Sequence, residues 1–323
     1  MNYEITVIMP IFNASLYLEE SLKSLINQTI FEHLEVILIN DGSTDDSEKI
    51  CKSYCEKYSN IILINQENSG VSTARNEGLS RGTGKYVTFM DADDVIKCDL
   101  YENELKAIKS NNYDLLIIDF EKKHIDGTIK KYRKNYIKEW ECSQDAIKDF
   151  LNGTIGGQVV DKLFLYDNVR NLKFSSDYKI GEDMLFTYFA VKKSKRILMD
   201  TNLCGYQYVV RKSSAMTGEF SEKYLDPIKV SEEICEDCKE NEEIRKYAEA
   251  HLIHETCKVV EYIYRHNVQD NCKKLLKDLI KKIHLFKICD AFKYLVRKQF
   301  CGYLLIKISP KLYLLFHKMM HIG

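Results

Sequence analysis

Five short apolar runs punctuate the first 120 residues: Ile5 to Met9, Val36 to Ile39, Ile61 to Ile64, Tyr86 to Met90 and Leu115 to Ile118. Their length and polar borders are those of buried strands. Between most of them the apolar residues fall at helical spacing, as with Leu18, Leu22, Leu25 and Ile26, and Asp45 followed by Glu48 marks the start of a second helix in the manner of a capping box. Alternating strands and helices predict an α/β architecture, a mostly parallel Rossmann-like sheet with helices on both faces. After four of these strands a polar group follows within a few residues: Asn13, Asn40-Asp41, Asp91 and Asp119. Open α/β sheets bind ligands at that carboxyl edge.

Beyond this region the pattern changes twice. Mixed charge around Asp126-Gly127 predicts a hairpin between Phe120 and Lys134. Strand-like pieces at Val159 to Tyr166, near Ile197 and at Tyr206 to Val210, with a helix from Glu182 to Lys192 among them, complete the same domain. From Phe220 onward the spacing is helical, with Lys and Glu faces. The division predicted is a catalytic domain over 1–218 and a helical domain over 219–323.

Composition narrows the possibilities. With 47 Lys and Arg against 48 Asp and Glu, the net charge of -1 offers no global field for nucleic acid. No run of 18 apolar residues is present, and Met1 leads through Glu4 into the first strand without a basic leader, so neither a spanning helix nor a signal peptide is expected. Eleven scattered cysteines fit reduced thiols in a cytoplasm. Cys235-x-x-Cys238, with His251-x-x-His254 after it, approaches zinc-finger spacing, but the stretch from Ser231 to His266 has helical periodicity and lacks a finger's hairpin, which leaves ordinary helix residues as the simpler reading.

The candidate chemistry lies at the strand ends. Asp91-Ala92-Asp93-Asp94 directly follows a strand; in an extended stretch Asp91 and Asp93 would share a side and converge on a hard cation, whereas the plainer alternative makes Asp94 or its neighbours the cap of a helix starting near Val95. Asn40 to Asp45 is turn chemistry at the ligand edge, where Asp41 is placed to accept a hydrogen bond from a base or ribose. Asn68 to Asn76 joins a glycine turn to a helix N-terminus, and its Arg75 offers a planar fork. Glu182-Asp183 reads either as dipole-favoured acids in a first helical turn or as a catalytic pair.

Taken in order, Ile5-Thr6-Val7-Ile8-Met9-Pro10-Ile11-Phe12-Asn13, the Asn40 to Asp45 loop, Ser72-x-Ala74-Arg75-Asn76-x-x-Gly78 and Gly84-Lys85-Tyr86 running into Asp91-Ala92-Asp93-Asp94 resemble the bacterial family 2 glycosyltransferases of GT-A fold. The resemblance implies inverting transfer of a hexose or N-acetylhexosamine from a UDP-sugar to a glycan, glycoprotein or lipid-linked acceptor, in polysaccharide or protein-glycan assembly. It implies that Asp41 and Arg75 contact the base, that Pro10, Phe12 and Asn13 frame the nucleotide, that Asp91 and Ala92 lie near the ribose, and that Asp93, with Asp91, binds Mn2+ or Mg2+. Glu182-Asp183-Met184-Leu185-Phe186 matches the segment whose Asp, here Asp183, is the family's base. Asp161-Lys162-Leu163-Phe164 is similar to an Asn-Lys-Leu-Tyr segment with Asp161 departing from it, and Arg211-Lys212-Ser213-Ser214 resembles the segment that closes over the diphosphate, with Arg211 and Ser214 as its contacts.

Two other classes stay in view. A sugar nucleotidyltransferase would carry a glycine-rich loop where this chain has Pro10-Ile11-Phe12-Asn13-Ala14, and a non-catalytic glycan-binding protein would not require both acidic pairs. The segment 284–323 is separate again: seven Lys or Arg against the single acid Asp290, among many Phe, Tyr and Leu, predict either a peripheral membrane contact or helices packing on the rest of the chain or on a second subunit. Pro310 and a break at Gly302 are expected to keep each helix too short to span a bilayer.

Overall fold

The computed structural model describes residues 3–124, 126–210 and 220–313. Its strands are β1 (Ile5–Ile11), β2 (Leu34–Asp41), β3 (Ile61–Gln66), β4 (Tyr86–Phe89), β5 (Val95–Ile96), β6 (Leu115–Lys123), β7 (Ile129–Lys131), β8 (Ile137–Trp140), β9 (Lys162–Leu165) and β10 (Ile197–Val209). The helices are α1 (Ser15–Ile26), α2 (Ser47–Cys55), α3 (Val71–Arg81), α4 (Leu100–Ser110), α5 (Ser143–Leu151), α6 (Tyr166–Val169), α7 (Glu182–Lys193), α8 (Asp226–Asp237), α9 (Glu242–Arg265), α10 (Lys273–Leu285), α11 (Ile288–Tyr294) and α12 (Arg297–Ile308). Two compact units share them: one holds residues 1–146, 157–177 and 182–214, the other 147–156, 178–181 and 215–323.

In the first unit all the strands join one sheet, in the order β3-β2-β1-β4-β9-β6-β10-β5, with β7 on β6 and β8 on β10. It is parallel from β3 to β4 and mixed beyond, because β9 runs antiparallel to both β4 and β6. A four-residue apolar run carries no information about direction, and so the expectation of a mostly parallel sheet holds for the first four strands and for the β6–β10 pair but not for β5, β7, β8 and β9.

Period-two alternation sends the strands' side chains to two faces, each covered by helices. Val7, Met9, Val36 and Leu38 pack with Leu18 and Leu22 of α1 and with Tyr101 and Ile108 of α4. On the other face Ile37 and Ile39 meet Ala74 of α3. A Cβ on Gly78 would come within 2.4 Å of Ile8 Cγ2, so a side chain there would push α3 off β1.

Some local expectations are corrected. Val95 and Ile96 form β5, paired with β10, and the next helix starts at Leu100 behind Asp99, so Asp94 caps nothing. α2 starts at Ser47, with no side-chain cap from Asp46. The hairpin around Asp126-Gly127 forms as β6–β7, and β8 is an addition that no pattern foretold.

The second unit is helical. Ile253, Val260 and Ile263 of α9 centre a core with Leu276 and Ile283 of α10, Ala291 of α11 and Tyr303 and Ile306 of α12. Gly302 lies inside α12 and does not end it, whereas the break expected at Pro310 falls just before it, at Ser309; the other interruptions are at 286–287 and 295–296. His251 Nδ1 is 3.0 Å from the Leu151 carbonyl. Among the described residues no three His, Cys, Asp or Glu groups gather for a metal ion. No described helix is long and apolar enough to cross a membrane.

Candidate active site

β1 and β2 end side by side, Ile11 opposite Asn40, so the loops leaving them share one edge. Their polar residues bind one another. Asn13, held at φ +48°, donates its N–H to Ser43 Oγ (3.1 Å) and accepts from the Thr44 N–H (2.8 Å). Ala14 N–H donates to Ser47 Oγ, and Ser15 N–H to Asp45 Oδ2, both at 2.9 Å. Burial works against ionisation of Asp45, but the bonds from Ser47 and Ser15 outweigh it and hold the carboxyl down at about 2. The Asp45 expected to open a helix accepts the N–H of Ser47, the first residue of α2, with Oδ1 (3.0 Å), and its Oδ2 ties that start to α1.

Asp41 ends β2 and is buried, and it shapes the next loop. Its Oδ1 accepts from the Ser69 N–H (2.8 Å) and the Gln66 amide (2.7 Å), and its Oδ2 from the Gly70 N–H (2.8 Å). Gly42, at φ +70°, lets this loop close in, since a Cβ there would lie 2.7 Å from Asn68 N. Pro10 lies half-buried within β1, and the Phe12 ring just beyond it is 51% exposed at the same edge.

Arg75 is the centre of the site. It projects from α3 into the interior, where Nη2 meets Asp91 Oδ1 at 3.2 Å and Nη1 meets Glu182 Oε1 at 3.1 Å, with its side chain only 7% exposed. The guanidinium lies 5.4 Å from the Phe174 ring, which stacks on Phe186 of α7 at 4.0 Å. One fork therefore joins three elements: the helix after β3, the turn after β4 and the first residue of α7. Its Nε is buried and has no partner among the described residues.

Residues 91–94 form a turn closed by the Asp94 N–H on the Asp91 carbonyl (3.2 Å), not the extended stretch on which a shared side for Asp91 and Asp93 was argued. Asp91 and Asp93 are half-exposed, whereas Ala92 and Asp94 are buried. Ser21 Oγ lies 2.9 and 2.6 Å from the carbonyls of Ala92 and Asp94, which fixes the turn on α1. Asp94 accepts from the Tyr206 hydroxyl (2.7 Å) and the Val209 N–H (2.9 Å), and burial followed by repulsion from Asp91 pushes it up to about 8.

Two hard carboxylates at a strand end suit Mn2+ or Mg2+, which commonly take one or two protein carboxylates and complete their shell with phosphate and water oxygens. Of the two, Asp91 also carries Arg75, Nη2 to Oδ1. Asp183 follows Glu182 in the first turn of α7 and accepts the Met184 N–H at 2.8 Å. Burial raises its pKa above the usual carboxylate value; Arg75 and Lys162 pull it back and Asp91 adds to the rise. Burial and then the Asp183 charge push Glu182 up to about 7 against the opposing pull of Arg75. Lys162 is wholly buried, donating to Asp161 Oδ1 and the Gln158 carbonyl at 2.6 Å each, while Arg133 holds the other Asp161 oxygen at 3.3 Å.

The structure thus brings Arg75, Asp91 and Glu182-Asp183 together, and links Asn13 to the Ser43–Asp45 loop. Arg211 and Ser214 lie outside the described residues. Tyr206 and Phe174 were missed: an aromatic residue in a strand or loop carries no mark of what its hydroxyl or face will support.

Comparison with known proteins follows the same stretch of chain. The profile of glycosyl transferase family 2 matches residues 6–167, half of the sequence. The minor teichoic acid biosynthesis protein GgaB of Bacillus subtilis is 35% identical over 67% of this chain, which spans only 24% of that relative's length. Glycosyltransferase GlyG of Streptococcus pneumoniae is 27% identical over 74% of this chain and 81% of its own. Among solved structures, S. aureus TarS 1-349 in complex with UDP-GlcNAc superposes with a TM-score of 0.69 at 20% identity, covering 95% of this chain and 91% of that one. The matched region takes in the interlocked loops, Arg75 and the Asp91–Asp94 turn, and the sheet unit has the GT-A fold with helices following it: this chain belongs to glycosyl transferase family 2.

Proposed function

We propose that this chain is an inverting glycosyltransferase that moves a hexose or N-acetylhexosamine from a UDP-sugar to a hydroxyl of a glycan or lipid-linked acceptor. The observation that carries the reading is the Arg75 fork, which fixes Glu182-Asp183 beside the Asp91 turn at the carboxyl edge of the sheet. Asp183 is the base: its raised pKa makes it a better proton acceptor than an ordinary carboxylate, while Arg75 and Lys162 oppose that rise and favour its charged form. It takes the acceptor proton as that oxygen attacks the anomeric carbon from the face opposite the leaving diphosphate, and configuration inverts in one displacement.

Phe12, Asn13 and the loop shaped by Asp41 frame the nucleotide, and the unpaired Arg75 Nε offers a buried donor beside it. Asp93, with Asp91, would hold Mn2+ or Mg2+, whose charge offsets that of the departing diphosphate. The UDP-GlcNAc of the TarS complex supports the donor class, and the biosynthetic role in GgaB's name supports a cell-surface glycan of teichoic acid type as acceptor. Eleven free cysteines support work on the cytoplasmic side, where nucleotide sugars are made.

The test is a UDP-sugar panel incubated with Mn2+, Mg2+ or EDTA, with UDP release followed with and without acceptor glycans. UDP from one or two sugars in the presence of metal is expected. Pyrophosphate release would make it a nucleotidyltransferase, and no turnover of any sugar, with glycans still bound, would make it a binding protein.

A further inference from the structure

The helical unit separates the aromatic C-terminal stretch into residues that pack and residues that do not. Ala291, Leu295, Tyr303 and Ile306 are buried against α9 and α10. Six others face solvent: Leu285 (72% exposed), Ile288, Phe292 (72%), Val296, Ile308 (73%) and Leu312. They are six of the fourteen large apolar residues exposed among the described residues, drawn from 28 consecutive positions, so the exposure is concentrated and not the ordinary scatter of a surface.

Four of the six, Leu285, Ile288, Phe292 and Ile308, share one region. Leu285, Ile288, Phe292 and Val296 recur at spacings of three, four and four, and Ile288 and Phe292 lie one turn apart on α11 and are exposed, although Ala291 beside them is buried. The end of α12 is fastened to the corner between α10 and α11: Lys307 Nζ donates to the carbonyls of His284 (3.1 Å) and Phe286 (2.7 Å), and the Tyr303 hydroxyl to that of Phe286 (2.6 Å). This brings Ile308, next to Lys307, to the corner where Leu285 and Ile288 stand. The Phe292 and Phe300 rings meet edge-on at 5.4 Å, joining α11 to α12 along the same edge.

Exposed Lys287, Lys293, Arg297, Lys298 and Lys311 are interspersed with these apolar residues, and Asp290 is the single acid between 284 and 313. Such a surface repels a second copy of itself, because pairing two copies would set like charges together. A bilayer with anionic headgroups complements both of its characters, taking the apolar side chains below the headgroups and the basic ones among them. Helices of 7 and 12 residues are too short to span, so they would lie in the plane of the interface.

We propose that the edge formed by Leu285, Ile288, Phe292 and Ile308, with Arg297 and Lys298, seats the protein on an anionic lipid surface. The proposal is independent of the catalytic reading, because its readout is binding.

The experiment is flotation of the full chain with vesicles of phosphatidylcholine alone or with a quarter phosphatidylglycerol, at low and high salt. Binding to the anionic vesicles at low salt is expected, falling more than tenfold at high salt and in Arg297→Glu/Lys298→Glu. Ile288→Ser/Phe292→Ser should lose binding while keeping the wild-type thermal melt. Phe292→Trp adds an emission that shifts to the blue when anionic vesicles are added, against the buried Trp140. Failure of the full chain to float at low salt overturns the proposal. So does a Ser/Ser variant that floats like wild type, or one whose oligomeric state changes in the absence of lipid, which would assign the edge to a second copy.

Discussion

Arg75 pairs with two acids, Asp91 and Glu182, and its charge acts on a third, Asp183. Its charge opposes the burial that would otherwise neutralise Glu182 and Asp183. Replacing Asp183 by Asn leaves the fork to Asp91 and Glu182 intact, so UDP-sugar binding should persist while transfer falls on the order of a hundredfold or more, as expected for removal of a positioned base. Single-turnover assays beside donor titrations check this, and a variant that loses donor affinity but keeps turnover places the base elsewhere. In the wild type the acid limb of the pH-rate profile should lie above the ordinary carboxylate range, because activity is lost as pH falls through the raised pKa of Asp183. Asp93→Ala should abolish Mn2+- or Mg2+-stimulated turnover with the melt unchanged, since its half-exposed side chain lies in a turn that Ser21 fixes through backbone carbonyls; full activity in EDTA contradicts a metal role. The positions of these residues were legible, because strand ends and helix starts can be read from apolar spacing. Their partners were not: in sequence Asp41 looks like a free ligand group and Asp45 and Asp94 like helix caps, and the structure gives their oxygens to backbone N–H groups, the Gln66 amide and Tyr206.

At the scale of elements, α4 carries an acid whose effect on stability depends on pH. Glu104 is wholly enclosed, its Oε2 has no partner among the described residues, and burial followed by repulsion from Asp161 pushes it up to about 8. A carboxyl raised in the folded state binds more protons folded than unfolded between about pH 4.5 and 8, so its contribution is fully present below that window and is lost as pH rises through it. Glu104→Gln removes this titration. The variant should melt near the wild-type temperature at pH 5 and above it at pH 8; equal differences at both pH values would mean that Glu104 is already ionised in the fold. Such an acid sits unnoticed in the sequence because it occupies one position of an otherwise amphipathic helix. The strands around it were easier or harder to read according to their length and cover. The runs that became β1, β2, β4 and β6 declare themselves, since both faces are largely covered and their apolar residues are continuous; β3, at the sheet edge with Ile62 exposed, shows as a run by its Ile61 to Ile64 alone. β5, with two residues, and β8, with an exposed Ile137, offer no such run and exist through their pairing with β10.

For the molecule as a whole, the thiols test where it works. None of the eleven cysteines is in a disulfide: Cys98, Cys142, Cys289 and Cys301 are exposed, and the other seven are partly or fully buried. Burial, foremost among the causes, pushes the thiols of Cys51, Cys235 and Cys257 up to about 12 and that of Cys204 up to about 11, so these are poor nucleophiles even where solvent reaches them. A fold that depended on a reducing compartment only for its exposed thiols should therefore show two classes of sulfur. In the native protein Ellman's reagent should react quickly with about four thiols and slowly or not at all with the rest. In denaturant the count should reach eleven, and the thermal melt should be the same with and without dithiothreitol. A denatured count short by two, with a melt that falls on reduction, would reveal a disulfide and place the protein in an oxidising compartment, where a cytoplasmic supply of UDP-sugar would not reach it.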